Sequence, residues 1–192
     1  MGNREDLLTG ARECLREKGY DRTSVRDIAT AAGVSMAAIG YHYGSREALL
    51  NQALFALLDE GGSSTGRALV TEDGDSAAQG YTRWWESLLE GFRDQPHLWL
   101  ASVELFMQAQ RRPELRGPLA EGIAHGRRGN AGILEGIPED EVSDPSARTL
   151  GMIQSALMSG VLVQCLSDPE NAPTAAEVLD GLRALVKILD AP

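Results

Sequence analysis

The chain has 192 residues, of which 43% are hydrophobic and 24% charged, proportions that exclude disordered and fibrous classes and suit one domain, or a small one beside a larger. Its formal net charge is −10, yet residues 1–50 hold seven Lys/Arg and seven Asp/Glu, so the whole acidic excess lies in residues 51–192. With screening over about 8–10 Å, acidity there need not repel a polyanion held at the other end, although a neutral head is weakly equipped to bind phosphates. Cys14 and Cys165 fall far apart on apolar helix faces and read as buried, reduced thiols of a cytoplasmic protein rather than as a disulfide or metal pair. The first residues lead directly into an amphipathic helix, which is not the pattern of a signal peptide.

In chain order, a first helix is predicted from Arg4 to Lys18, with Asn3 as its cap and Leu7, Leu8, Ala11, Cys14 and Leu15 as its inner stripe. Gly19 ends it, and Tyr20 is expected to pack beneath the helices that follow. Ser24 and Asp27 have capping-box spacing, so a second helix begins at Val25 and buries Val25, Ile28, Ala29 and Ala32. Gly33 breaks it where a turn requires positive φ. Ser35 is expected to cap a third helix, Met36 to Tyr43, which Ile39 anchors inward. Two short helices, a small Ala29 at their crossing and a glycine turn meet the requirements of a helix-turn-helix. An ordinary helical hairpin uses the same chemistry. After Gly44, Ser45 caps a fourth helix from Arg46 to about Asp59, whose stripe of Leu49, Leu50, Ala53, Leu54, Leu57 and Leu58 is too wide for one neighbour and is read as linking head to remainder.

Beyond Gly61 the chain is rich in small and acidic residues; Arg67 to Val70 can prolong the helix and Thr71 to Ser76 reads as a loop. Helices are predicted over Ala77–Asp94, His97–Gln110 and Glu114–Leu134, divided by Gln95-Pro96 and Arg112-Pro113. Gly136 to Ser143 is a surface loop, and Asp144, with Pro145 in the first turn, caps a helix running to about Ser167. Its apolar run, Leu150 to Leu166, is broken by Gln154, Ser155, Ser159 and Gln164 and so reads as a buried helix rather than a membrane span. Thr174 and Glu177 form a second capping box for a last helix ending near Asp190. No alternating pattern of a strand occurs. The expected fold is all-α, with about nine helices: a three-helix head over residues 1–46 and a larger helical bundle over residues 47–192.

The last two helices are apolar on most sides, which terminal helices of a small subunit seldom are. Leu150, Ile153, Leu157 and Val161, with Val178, Leu182, Leu185 and Leu189, are therefore assigned to a two-fold dimer interface. No catalytic set emerges: the three histidines are isolated, no metal-ligand spacing occurs, and neither a phosphate loop nor a nucleophile elbow is present, so no cofactor and no enzyme activity are expected. A small-molecule pocket fits the large apolar groups of the middle region, namely Trp85, Leu89 and Phe92, then Trp99, Phe106 and Met107. Met152, Ser155 and Met158, beside Gln154, would complete it from the penultimate helix. Side chains of these types at helical spacing equally serve as plain core.

The run from Gly19 to Leu50 resembles the DNA-binding region of TetR-family (tetracycline-repressor-like) transcriptional regulators. The resemblance is carried by Gly19-Tyr20, Thr23-Ser24-Val25, Asp27-Ile28-Ala29, Ala32-Gly33-Val34-Ser35, Tyr41-His42-Tyr43 and Ser45-Arg46-Glu47-Ala48-Leu49. It covers about the first quarter of the chain; Gly40 and Met36 depart from it, standing where a phosphate-contacting tyrosine and a lysine are usual. The resemblance implies that Ser24, Arg26, Ser35, Tyr41, His42 and Arg46 grip phosphates, that Met36, Ala37, Ala38 and Gly40 face base edges, and that Tyr43 closes the contact set. Such small side chains give few direct hydrogen bonds, so thymine-methyl contacts and DNA shape should carry more of the readout. It implies a cytoplasmic homodimer that binds palindromic double-stranded operator DNA and responds to a small-molecule effector, most simply as a repressor. An activator of the same fold, or a helical small-molecule-binding or enzymatic protein whose head does not touch DNA, remains an alternative.

Overall fold

Residues 2–66 and 76–191 are described by the computed structural model; the helical prolongation expected over Arg67 to Val70 and the loop from Thr71, apart from Ser76, lie outside the described residues. Among the described residues the chain forms nine α-helices and no strand. They are α1 (Asn3–Lys18), α2 (Val25–Ala32), α3 (Met36–Tyr43), α4 (Arg46–Gly66), α5 (Ala77–Asp94), α6 (Pro96–Arg111), α7 (Arg116–Glu135), α8 (Asp144–Ser167) and α9 (Ala175–Leu189).

Capping chemistry sets most of the boundaries. Both capping boxes form: the Ser24 hydroxyl accepts from the Asp27 amide while the Asp27 carboxylate accepts from the Ser24 amide, and Thr174 pairs with Glu177 in the same way. Ser45 caps α4 by accepting from the Ala48 amide at 3.0 Å. Three caps differ from expectation. Gly2, not Asn3, precedes the first helical residue, and Ser35 occupies the cap position of α3 without a side-chain hydrogen bond. Ser143, rather than Asp144, caps α8: its hydroxyl is in register with the Ser146 amide, and Asp144 is already helical. Pro113–Leu115 forms a separate 3-10 turn, so α7 starts at Arg116 rather than Glu114.

The described chain divides into two compact units, Met1–Gly61 with Gln95–Ile123, and Gly62–Asp94 with Ala124–Pro192. This division differs from a boundary at residue 46. The reason is the wide stripe of α4: Leu49, Leu50, Ala53, Leu54 and Leu57 are buried in one cluster with Leu7, Ala11 and Leu15 of α1 and Leu98, Ala101, Leu105 and Ala109 of α6. Each fully buried leucine contributes about 1.5–3 kcal/mol, enough to fuse α4 and α6 to the head.

In the second unit α5 buries Trp84, Trp85, Leu88, Leu89 and Phe92. It packs against α8 and α9. Residues Ala147–Gly151 of α8 form a π-helical turn. At its end Gly151 lies so close to the Arg127 carbonyl of α7 that a methyl group there would collide with it. Asn130 of α7 donates to the Ser155 hydroxyl at 3.0 Å one turn further on. Although α8 is long and apolar enough by composition to cross a membrane, it buries only Gln154, Val161, Leu162 and Cys165 after the π turn. Within the single chain it is thus buried on one side, and its other apolar residues face outward.

Candidate functional site

The head is a frame that holds α3 outward. Thr23, 1% exposed, donates to the Gly19 carbonyl at 2.7 Å, pinning the loop between α1 and α2. Tyr20 is buried beneath that loop and donates to Asn51 Oδ1 of α4 at 2.6 Å; burial pushes its pKa up to about 12. Lys18 pairs with Asp27 at 2.6 Å. That contact and the bonds from Ser24 hold the Asp27 carboxyl well below the usual carboxylate range. Gly10 lets α1 approach α2 so closely that a side-chain methyl there would lie 2.8 Å from the Ala32 amide. Gly33 adopts the left-handed conformation at φ 66°, which turns the chain sharply into α3.

On α3, Ile39 is 2% exposed and fixes the helix to the core, so the opposite face points to solvent. That face carries Met36, Ala37, Gly40 and Tyr41, with Tyr41 86% exposed and in edge contact with His42 at 4.9 Å between ring centroids. Ser24, Ser35 and Arg26 are exposed beside it, although the Ser24 hydroxyl is occupied by Asp27. Three expected contacts are placed otherwise. Ala38 is half-buried against the core, because it sits beside Ile39 on the inner flank of the helix. The Tyr43 hydroxyl donates to the Arg4 carbonyl at 2.7 Å, tying the end of α3 to α1. Arg46 turns inward: it donates from Nε to the Thr23 carbonyl and from Nη2 to the Tyr20 carbonyl, and pairs with Glu47 at 3.1 Å. The carbonyls left open by the 20–23 loop are what its fork satisfies, so Arg46 is a clasp of the frame.

The expected pocket residues divide between the units. Trp85, Leu89 and Phe92 are fully buried on α5, Ser155 and Met158 are half-buried on α8, and Met152 is 38% exposed. Trp99, Phe106 and Met107 belong to the first unit, and the last two are exposed, so the spacing that suggested one cluster does not gather all nine residues in one core. Tyr81, which the sequence reading passed over, stacks on Trp84 and donates to Gln154 at 2.6 Å; its spacing of three and four from Trp84 and Trp85 was the available signal. Of the assigned interface residues, Leu150, Ile153, Leu185 and Leu189 are exposed, Leu157, Val178 and Leu182 are half-buried, and Val161 is buried within its own unit. Val186 and Ile188, at 56% and 69% exposed, extend the same apolar surface of α9.

The model of bacterial regulatory proteins of the tetR family matches residues 7–53, and that of tetracyclin repressor-like C-terminal domains matches residues 76–188. The chain belongs to the TetR family of transcriptional regulators. AcnR of Corynebacterium efficiens, an HTH-type transcriptional repressor, is 41% identical over 49 residues, and the match spans only 26% of each chain. A TetR-family regulator from a Rhodococcus species is 26% identical, with both chains fully covered and a TM-score of 0.64. A regulator from Rhodococcus sp. RHA1 shares the fold at 19% identity, with a TM-score of 0.76 and coverage of 97% of this chain and 96% of that one. Family and relatives are regulators rather than enzymes. In this TetR-family regulator the head is therefore the family's helix-turn-helix, completed here by α4 and α6.

Proposed function

We propose that this regulator is a homodimeric, cytoplasmic repressor that docks α3 in the major groove of palindromic operator DNA and leaves it when a small effector binds the second unit. The observation that carries the reading is the division of α3: Ile39 locks one face into the core, while Met36, Ala37, Gly40 and Tyr41 stand clear on the other. Apolar and backbone contacts dominate such a face, so recognition leans on thymine methyls and DNA shape, with Arg26, Tyr41 and His42 at the flanking phosphates. Repression is supported by AcnR, a repressor that matches the head. Dimerisation is supported by Ile153, Leu185, Ile188 and Leu189, each more than half exposed on α8 and α9, since an apolar surface of this kind on a soluble regulator asks for a partner. A gel shift with the DNA upstream of the regulator's own gene tests the reading. A retarded, salt-sensitive complex abolished by Ala37→Glu is expected. Absence of any complex with that DNA or a genomic library from the same cell refutes it.

A further inference from the structure

The core of the second unit contains more hydrogen-bond donors than it can satisfy. Tyr81, Trp84 and Trp85 share one face of α5: Tyr81 stacks on Trp84 with 5.8 Å between centroids, and Trp84 meets Trp85 edge to face at 5.2 Å. From α8, Gln154 accepts the Tyr81 hydroxyl at 2.6 Å. Trp84, Trp85 and Gln154 are 2%, 0% and 2% exposed, yet Trp84 Nε1, Trp85 Nε1 and Gln154 Nε2 have no acceptor. Burial pushes the Tyr81 hydroxyl above its ordinary pKa, and the neighbouring Trp85 N–H and Gln154 pull it only partly back. Turning the Gln154 amide over gives the Gln154 oxygen to the orphan position but takes the acceptor from the Tyr81 hydroxyl in exchange, so the cluster keeps an unpaired donor. Buried N–H groups are almost always paired, so several orphans in one aromatic cluster ask for an acceptor from outside. The π turn Ala147–Gly151 ends three residues before Gln154, and turns of this kind concentrate at functional sites.

All four groups are uncharged. A carboxylate among them would be stripped of water without a cation to face, and an ammonium, although the aromatic faces attract it, would leave the unpaired indole and amide N–H groups without an acceptor. We propose that Tyr81, Trp84, Trp85 and Gln154 form the recognition end of the effector site, and that the effector is an uncharged, flat molecule whose ketone, lactone, ester or amide oxygen accepts from the Gln154 and indole N–H groups. This rests on the effector response proposed above and names the chemistry of the ligand. The apolar remainder of the molecule lies against the aromatic faces. Because the donors are buried, the carbonyl reaches them only when α5 and α8 part, so the bound conformation differs from the closed one, as any ligand-driven shift requires.

The test uses the full chain without DNA, followed by tryptophan fluorescence and thermal shift. Acetophenone and coumarin are compared with benzoate, phenethylamine and the hydrocarbon ethylbenzene. The ketone and lactone should quench the emission and bind at least about tenfold tighter than the other three. Tyr81→Phe combined with Gln154→Leu removes both ends of the buried bond; it should keep the melting temperature and weaken the carbonyl probes about tenfold. Should that pair fail to fold, Gln154→Met alone, near in volume and without a donor, should show the same weakening. Ethylbenzene binding as well as acetophenone, or carbonyl binding unchanged in the variants, overturns the proposal. So does an ordered water bridging Gln154 and the indoles that no carbonyl probe displaces. A parallel gel shift separates the two readings. Carbonyl probes that bind through Gln154 but leave the DNA complex intact uphold the site and refute the switch. A complex released by the cell's small-molecule extract, while carbonyl probes neither bind nor release it, refutes the site alone.

Discussion

Replacing Arg46 by alanine distinguishes a clasp of the frame from a phosphate contact. Its side chain is 19% exposed, and its guanidinium lies 5.6 Å from the centre of the Tyr20 ring. Truncation removes charge-assisted bonds to the Tyr20 and Thr23 carbonyls, each worth about 1.5–3 kcal/mol. Partial exposure lets water replace some of that, which reduces the expected loss to about 2 kcal/mol, or about 4–8 °C in melting temperature for a chain of this size. Urea denaturation and thermal melts measure this loss. In gel shifts at several salt concentrations, Arg46→Ala should lower affinity through the weakened frame and keep the slope of log K against log salt. Exposed Arg26 provides the contrast: Arg26→Ala should leave stability unchanged and flatten the slope by about 0.9. An Arg46→Ala protein of unaltered stability whose slope falls by about one would refute the clasp and restore the phosphate contact.

Asp27 has a depressed folded pKa, so its contribution to stability is present above the unfolded value of about 3.9 and is lost as pH falls toward the folded one. Asp27→Asn should therefore flatten the acid limb of a melting-temperature profile, and an unchanged limb would remove the Lys18 pair and the capping box as its cause. Tyr20 works in the opposite direction: raised from 10.0 to about 12, it favours the folded state fully below about pH 10 and loses that effect as pH climbs through 12. Tyr20→Phe should abolish that alkaline slope while costing about 1 kcal/mol for the lost bond to Asn51, read by urea denaturation at pH 8 and 11. For assembly, Ile188→Glu should yield monomers by sedimentation with α9 still folded, since Ile188 is 69% exposed in the single chain. A wild-type monomer at micromolar concentration would end the dimer reading. Gly151→Val should cost about 1–3 kcal/mol or more by driving α7 from α8 at the Arg127 carbonyl, and a neutral result would show that this crossing is not tight.

Local chemistry was legible in the sequence because it acts over three or four residues. Ser24 with Asp27, Thr174 with Glu177, Gly33 at the turn and the spacing of Ile28 and Ile39 fix helices and their inner faces whatever surrounds them. The helix-turn-helix was legible for the same reason, since its whole geometry lies within one short run. Partner choice was not. The wide stripe of α4 announced two neighbours without naming them, and α6, distant in sequence, supplied one of them through Leu98, Leu105 and Ala109. Arg46 read as a cation for phosphates until the fold placed two loop carbonyls within its reach. Likewise, Gln154 is a polar residue on an apolar helix by sequence, and only packing shows that its carbonyl meets Tyr81 while its amide nitrogen meets nothing. Periodicity records which side of a helix avoids water, whereas the identity of what lies across that face depends on contacts between distant residues that no local pattern encodes.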